Sequence, residues 1–316
     1  MPTLVIVFDF DPLIRIGEAS VRIATLLLAV VIGAALLVAA RVALDTTARG
    51  YPASRDLTRG SALGSFAHRP SLRLDDLLFI VLGIVPGAVI GGRLDHVLSN
   101  LAFYQSHPEA ILDPEMGSLG LGLAVAGGVL TGVVVARLLD APAGRWAHVA
   151  TLPTLLAIAG GRLAQVLGGA GQGQPSDASW ATSYGGPGPW GSLASAVPSH
   201  PAQAYEGILT LIVLLVVAGL IAAGAFSRRD GRALALGIGL WAAVRFAVAS
   251  TWRDEPVLAS VNVGQVIALG IVIVSVLALM IVRPTDAGPA DPGADDDPAD
   301  GTAEVHWPDP GTRPRL

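Results

Sequence analysis

The sequence predicts an all-α integral membrane protein of about seven transmembrane helices, N-terminus outside and C-terminus cytoplasmic. Three observations predict it. The composition, 52% hydrophobic and 14% charged with mean hydropathy +0.61, belongs to membrane chains and not to soluble domains. Apolar runs of about twenty residues recur along the chain, each long enough to span a bilayer. The arginines are concentrated in alternate connections between those runs, as the positive-inside rule requires.

In order, the spans are read at roughly 20–43, 76–98, 119–139, 147–168, 204–226, 232–252 and 259–282. The third is rich in glycine, which is common where membrane helices pack closely. The fifth follows Ser199-His200-Pro201 at the end of a Gly/Ser/Pro-rich loop. A proline followed by an apolar run marks a helix start. The connection after the first span carries Arg49, Arg55, Arg59, Arg69 and Arg73, and the one between the fifth and sixth carries Arg228, Arg229 and Arg232. Arg137 and Arg145 flank the connection between the third and fourth, whereas 99–118 and 169–202 contain no arginine. Only Arg253, beside Asp254 and Glu255, breaks the alternation. An odd number of spans puts the two ends on opposite sides, in agreement with the arginine pattern. The chain therefore divides into a membrane domain, 1–283, and a Pro/Gly/Asp-rich tail, 284–316, which has too few apolar residues for a core and is expected to be disordered. The cytoplasmic loop is placed at 44–75 and the main external loop at 169–202.

Cysteine is absent, which excludes disulfides, a thiol nucleophile in this chain and a thiolate metal site. All basic residues are arginine. The first residues lack a basic segment, so no cleavable signal peptide is expected. No metal, cofactor or nucleic-acid partner is called for, and the protein is expected to act as a monomer.

Placed by depth, the polar residues of the spans converge on one level near the outer boundary. Glu18 and Arg22 fall at the outer end of the first span, and Arg93, Asp95 and His96 at that of the second. Arg162 and Gln165 lie in the outer part of the fourth, Gln203 and Glu206 open the fifth, Arg245 lies in the outer half of the sixth, and Asn262 and Gln265 open the seventh. Arginines near helix ends commonly snorkel to phosphates or water. Arg162 and Arg245 have a further turn or more of helix beyond them, and an arginine at the centre of a span costs about 2.5–3.5 kcal/mol on insertion scales. With Glu206 they suggest a hydrated, outward-facing cationic pocket, and arginine suits bidentate recognition of phosphate. A phospholipid headgroup fits that description.

The motifs carry a resemblance. His200-Pro201-Ala202-Gln203-Ala204-Tyr205-Glu206 resembles the H-P-x-Q-x-Y-E signature of the prolipoprotein diacylglyceryl transferase family. In order along the chain, Phe10-Asp11-Pro12 with Ile16-Gly17, Gly91-Gly92-Arg93, Gly127-Gly128 with Gly132, Gly161-Arg162-Leu163, Arg245-Phe246 with Arg253, and Gly264-Gln265 resemble further motifs of that family. The resemblance covers about 8–282. It implies transfer of the diacylglyceryl group of phosphatidylglycerol to the thiol of a lipobox cysteine in a preprolipoprotein, in a bacterial plasma membrane, with release of glycerol phosphate. Carried over by position, Arg162 and Arg245 would hold the phosphate, Gln203 and Glu206 would shape the pocket, and His200 and Tyr205 would sit at its rim. Catalytic roles are thereby implied for Arg162, Arg245, His200 and Glu206, and lipid-binding roles for Arg162, Arg245, Gln203, Tyr205, Gly127, Gly128 and Arg93.

The chain also departs from the family pattern. The family's third-helix histidine falls on Ala126, its polar residues after the fourth-helix G-R on Gln165, Gly168 and Ala170, its first-helix tyrosine on Ala24, and the acid after R-F near Ala249 or Ser250. Two readings follow: a transferase, or a catalytically impaired relative that binds phospholipid or lipoprotein without transfer. A small transporter or channel is a third, opposed by the apolar inner halves of the spans.

Overall fold

The computed structural model describes residues 5–48, 72–113, 119–185 and 197–281. The expectations for the tail, for most of the loop 44–75 and for part of the loop 169–202 fall outside them. Three short strands, β1 (Ile6–Asp9), β2 (Leu13–Ile16) and β3 (Ala19–Arg22), precede α1 (Ile23–Ala48). There follow α2 (Leu74–Ser99), a short α3 (Leu101–Ser106), α4 (Leu121–Leu138), α5 (Ala143–Gly168), β4 (Thr182–Gly185), α6 (Ala202–Ala222) and α7 (Arg232–Val248). A hairpin of β5 (Pro256–Leu258) and β6 (Val261–Asn262) leads into α8 (Val263–Ile281). Seven of these helices, all but α3, are long and apolar enough to cross a membrane. Leu37, Ile90, Leu215 and Val274 stand largely exposed on four of them. Such apolar belts suit lipid and not water.

The first span begins later than the hydropathy suggests. Glu18 and Arg22 belong to an antiparallel hairpin in which Leu13 pairs with Arg22 and Ile16 with Ala19. Gly17 occupies the left-handed region, φ 64°, at its turn, and Ile23 N–H donates to Pro12 O at 2.9 Å where the helix starts. Hydropathy cannot separate a hairpin from a first helical turn when both are apolar on one side. The β1–β4 pairing is long-range by contrast: β1 runs parallel to β4, and Phe8 stacks on Tyr184 with ring centroids 5.1 Å apart.

Two packing regions hold the helices. One core is formed by Leu155 and Ile158 of α5, Val213 and Val217 of α6, Ile238 and Trp241 of α7, and Ile271 of α8. The other region is the α2–α4 pair, extended by Ala39 and Ala43 of α1 and Trp146 of α5. Gly83, Gly87 and Gly91 recur every fourth residue and line one face of α2. A Cβ on Gly87 would stand 2.5 Å from Gly127 O, and one on Gly91 would collide with Leu123 O. The two backbones are therefore in direct contact, the arrangement that small residues permit in membranes.

Candidate active site

The α6 entry is fixed by its preceding strap. Ser199 exchanges backbone hydrogen bonds with Thr182, N–H to O at 2.9 and 3.0 Å, and His200 N–H donates to Gln174 O at 3.0 Å. Arg253 staples the strap from α7's side, its Nε donating to Gly173 O at 2.7 Å and its Nη2 to Ser199 Oγ at 2.8 Å. The α6 helix then begins just after Pro201, so Gln203 and Glu206 point inward one turn apart, each 1% exposed.

Glu206 is the centre. Its Oε2 lies 2.9 Å from Arg162 Nε of α5, and its Oε1 and Oε2 accept from Arg245 Nη1 of α7 at 3.1 and 3.3 Å. Trp241 Nε1 donates to Oε1 at 3.2 Å. The Arg162 contact is a charge contact only, because its N–H is not aimed at the oxygen. Arg162 Nη1 donates instead to Gln165 Oε1 at 2.8 Å. Trp252 caps the pair, its ring centroid 4.4 Å from the Arg245 Cζ and 5.9 Å from that of Arg162. Among the described residues, no hydrogen bond or ion pair uses Nη2 of either arginine, and Arg245 Nε is buried without a partner. Two guanidiniums thus share one carboxylate with donors to spare, while the carboxylates of Asp95 and Asp254 lie within electrostatic reach of the pair.

The remaining polar residues separate into different tasks. Gln203 Nε2 donates to Tyr184 Oη at 3.1 Å, and that hydroxyl donates to Val166 O at 2.7 Å. Burial pushes the Tyr184 hydroxyl up to about 12, with the Gln203 bond pulling the other way, so it stays a neutral relay. His200 Nδ1 is 3.3 Å from Tyr205 Oη, which also accepts from Trp180 Nε1 at 2.7 Å. This pair stands at the α6 entrance. Arg93 donates to the carbonyls of Ile111, Ala110 and Asp113 at 2.7, 2.5 and 3.1 Å and lies over Tyr104. These partners are backbone carbonyls of the 108–113 turn. Gly127 and Gly128 face α2, against Gly87 and against Ile84 and Ala88, so their visible task is helix packing. Ala126 packs against the apolar core that contains Trp241.

The sequence reading left Asp95, Trp241 and Trp252 without roles. Asp95 is 3% exposed and its Oδ2 accepts from Leu123 N–H at 2.9 Å, capping α4 across the helix pair. Trp241 could have been found from its position four residues before Arg245 on one helix face. Nothing local marks Trp252, which reaches the arginines from a turn beyond α7.

Comparison with known proteins bears on this geometry. The family model for prolipoprotein diacylglyceryl transferase matches residues 12–281. A phosphatidylglycerol–prolipoprotein diacylglyceryl transferase of Geobacter sulfurreducens is 26% identical, aligned over 69% of this chain and 83% of that protein. Proteins of the same name from Rhodospirillum rubrum and Clostridioides difficile are 30% and 25% identical, covering 66% and 67% of this chain and 76% and 80% of their own lengths. With seven membrane-length helices, three of which supply the Arg–Glu–Arg cluster, and the family model spanning all seven, the chain belongs to the prolipoprotein diacylglyceryl transferase family.

Proposed function

We propose that this protein transfers the diacylglyceryl group of phosphatidylglycerol to the cysteine thiol of a prolipoprotein, in a bacterial plasma membrane and as a monomer. The observation that carries the reading is the single carboxylate shared by two buried arginines that keep unspent donors. On this reading the substrate sulfur attacks the glyceryl carbon that bears the phosphate ester. A C–S bond forms, the C–O bond breaks, and the electron pair leaves on the phosphate oxygen as glycerol phosphate. Arg162 and Arg245 receive the growing charge, and preorganised donors of this kind are commonly the largest catalytic contribution. Glu206 holds both in place and offsets their mutual repulsion before substrate arrives. The thiol, with an ordinary pKa of about 8.5, is drawn toward the thiolate by the same positive field. Its proton goes to water or to one of two histidines, His96 or His200, neither of which is hydrogen-bonded to the arginine pair.

The site faces outward on this proposal, with Ser106 outside and Ser227 inside. Because the chain has no native cysteine, a single cysteine at either position can be labelled with a membrane-impermeant maleimide on intact cells. Labelling at 227 but not at 106 would invert the orientation.

The test of function is incubation of the full chain with phosphatidylglycerol vesicles and a lipobox peptide, following mass gain on the peptide and release of glycerol phosphate. Transfer that depends on both arginines is the expected result. Ala126→His, which adds an imidazole on the α4 face toward Trp241, should raise the rate, since general-base help is worth about 10²–10⁴. No transfer by either protein, with lipid binding intact, would overturn the reading.

A further inference from the structure

A cavity of about 550 Å³ lies at the other end of the bundle from the Arg162–Glu206–Arg245 cluster. Arg145 lines it from the first turn of α5, and Arg162 lies 17 residues further along the same helix, which at 1.5 Å per residue is about 25 Å away. Thr46 of α1, the last residues of α6, and Phe226, Arg228 and Arg229 of the α6–α7 connection complete the wall. The volume is in the range of small-ligand pockets. Three arginines and a histidine line it, and no carboxylate does among the described residues.

Two further observations point to a ligand. His148, 7% exposed, lines the cavity with its Nδ1 buried and unpartnered, a state that costs free energy unless something fills it. Arg229 is held at φ 50°, a region that bulky side chains rarely adopt, and its Nη1 reaches only as far as Thr46 O at 3.5 Å. The nearest acid on this connection, Asp230, is occupied with the backbone N–H of Arg232 at 3.1 Å. The first turn of α5 adds its own partial positive charge.

We propose that this cavity is a second anion site, which takes the phosphate of an anionic phospholipid from the leaflet next to the arginine-rich end. Arg145, Arg228 and Arg229 hold the phosphate oxygens, and the His148 ring forms part of the wall behind them. The wall is half apolar, and Phe226 forms part of it. A free phosphate shares the charge chemistry but has no use for that apolar surface, which favours the lipid. The site takes no part in transfer and stands whether or not the transferase reading does.

A reporter confined to the cavity separates this site from the other. Ser227 lines it, and Ser227→Cys creates the only cysteine in the chain, ready for an environment-sensitive fluorophore. The full-length labelled protein in detergent is titrated with dihexanoyl phosphatidylglycerol, dihexanoyl phosphatidylcholine and inorganic phosphate. The expected result is saturable binding of phosphatidylglycerol, weakened roughly fivefold by Arg228→Gln and again by Arg145→Gln, with thermal melting unchanged for the exposed Arg228 variant. Saturation by inorganic phosphate at equal affinity would keep the anion site and overturn the lipid assignment. Equal response to phosphatidylcholine, or indifference to both arginine changes, would mean simple partitioning into an apolar surface and would overturn the proposal. So would no response to any probe.

Discussion

The α2–α4 pair and the α5–α6–α7 group solve the same problem in opposite ways. In the first, backbones touch: Gly87 and Gly91 meet Gly127 and Leu123 with no room for a side chain. Two of its charged residues, Arg93 and Asp95, are directed at backbone groups of the neighbouring turn and helix. In the second, although Gly207 of α6 also comes close to α5, the contacts run mainly through side chains, and Arg162 and Arg245 turn to one carboxylate. An arginine bound to carbonyls is part of the scaffold. An arginine bound to a carboxylate, with donors left over, can exchange partners when an anionic ligand arrives. The position of an arginine in its helix does not distinguish the two.

The comparison is broken most severely at Glu206. Glu206→Ala leaves Arg245, 3% exposed, without its counter-charge, and removing one partner of a buried pair costs about 3–5 kcal/mol. Thermal or denaturant unfolding in detergent should show that loss, and Glu206→Ala with Arg245→Ala should be less destabilising than the sum of the single changes. Strict additivity would mean that the two do not act as a unit.

Next in size is the contrast between arginines. Arg245→Ala should lower diacylglyceryl transfer by about 10²–10³, the usual loss for a preorganised oxyanion donor, and Arg162→Ala should act similarly, the double variant being less than additive. Arg93→Ala should instead lower stability by about 1 kcal/mol through its lost carbonyl bonds and leave most of the transfer rate. If Arg93→Ala abolished transfer while the fold melted normally, the division between scaffold and site would be wrong.

The helix seam comes third. A methyl on Gly87 has only the Thr131 side chain and the Gly127 carbonyl to meet, so Gly87→Ala should cost about 1–3 kcal/mol by overpacking, whereas Gly219→Ala, with open space around it, should be neutral or slightly stabilising. Equal melting of the two variants would deny the close α2–α4 contact.

Much of this was legible in the sequence, for physical reasons. The seven spans follow from hydrocarbon thickness and hydropathy, and the level shared by Arg162, Glu206 and Arg245 follows from their distance to the helix ends. A pocket shared by the three was suggested by the cost of leaving any of them alone, whereas their meeting at a single carboxylate was not. What the sequence did not reveal depends on side-chain direction. Gly127 and Gly128 read as pocket residues from their motif, yet they face α2. Arg93 read as one more member of the polar layer, yet the 108–113 turn intercepts it. The hairpin before α1 was hidden because Ile14, Ile16 and Val21 add to the hydropathy of the span that follows.

The smallest effect is expected at the junction of α7 and α8, where polar side chains again replace backbone contact. Asn262 Oδ1 accepts from Gln265 N–H at 2.9 Å, while Gln265 Oε1 accepts from Asn262 N–H at 3.1 Å, a reciprocal capping box that starts α8. Asn262 Nδ2 also donates to Ala249 O at 2.8 Å and ties that start to the end of α7. Loss of a cap typically costs about 1 kcal/mol, so Asn262→Ala should lower stability by about that amount plus part of the buried Ala249 bond. Asn262→Ser keeps a cap oxygen and loses the amide donor, so it should fall between the native chain and the alanine variant in a melting series. Because α7 carries both Trp241 and Arg245, a loosened junction should also weaken phosphatidylglycerol binding slightly, in the same rank order. If Asn262→Ser melted below Asn262→Ala, the cap would not be what holds the α7–α8 junction, and the buried amide bond to Ala249 would be its main tie.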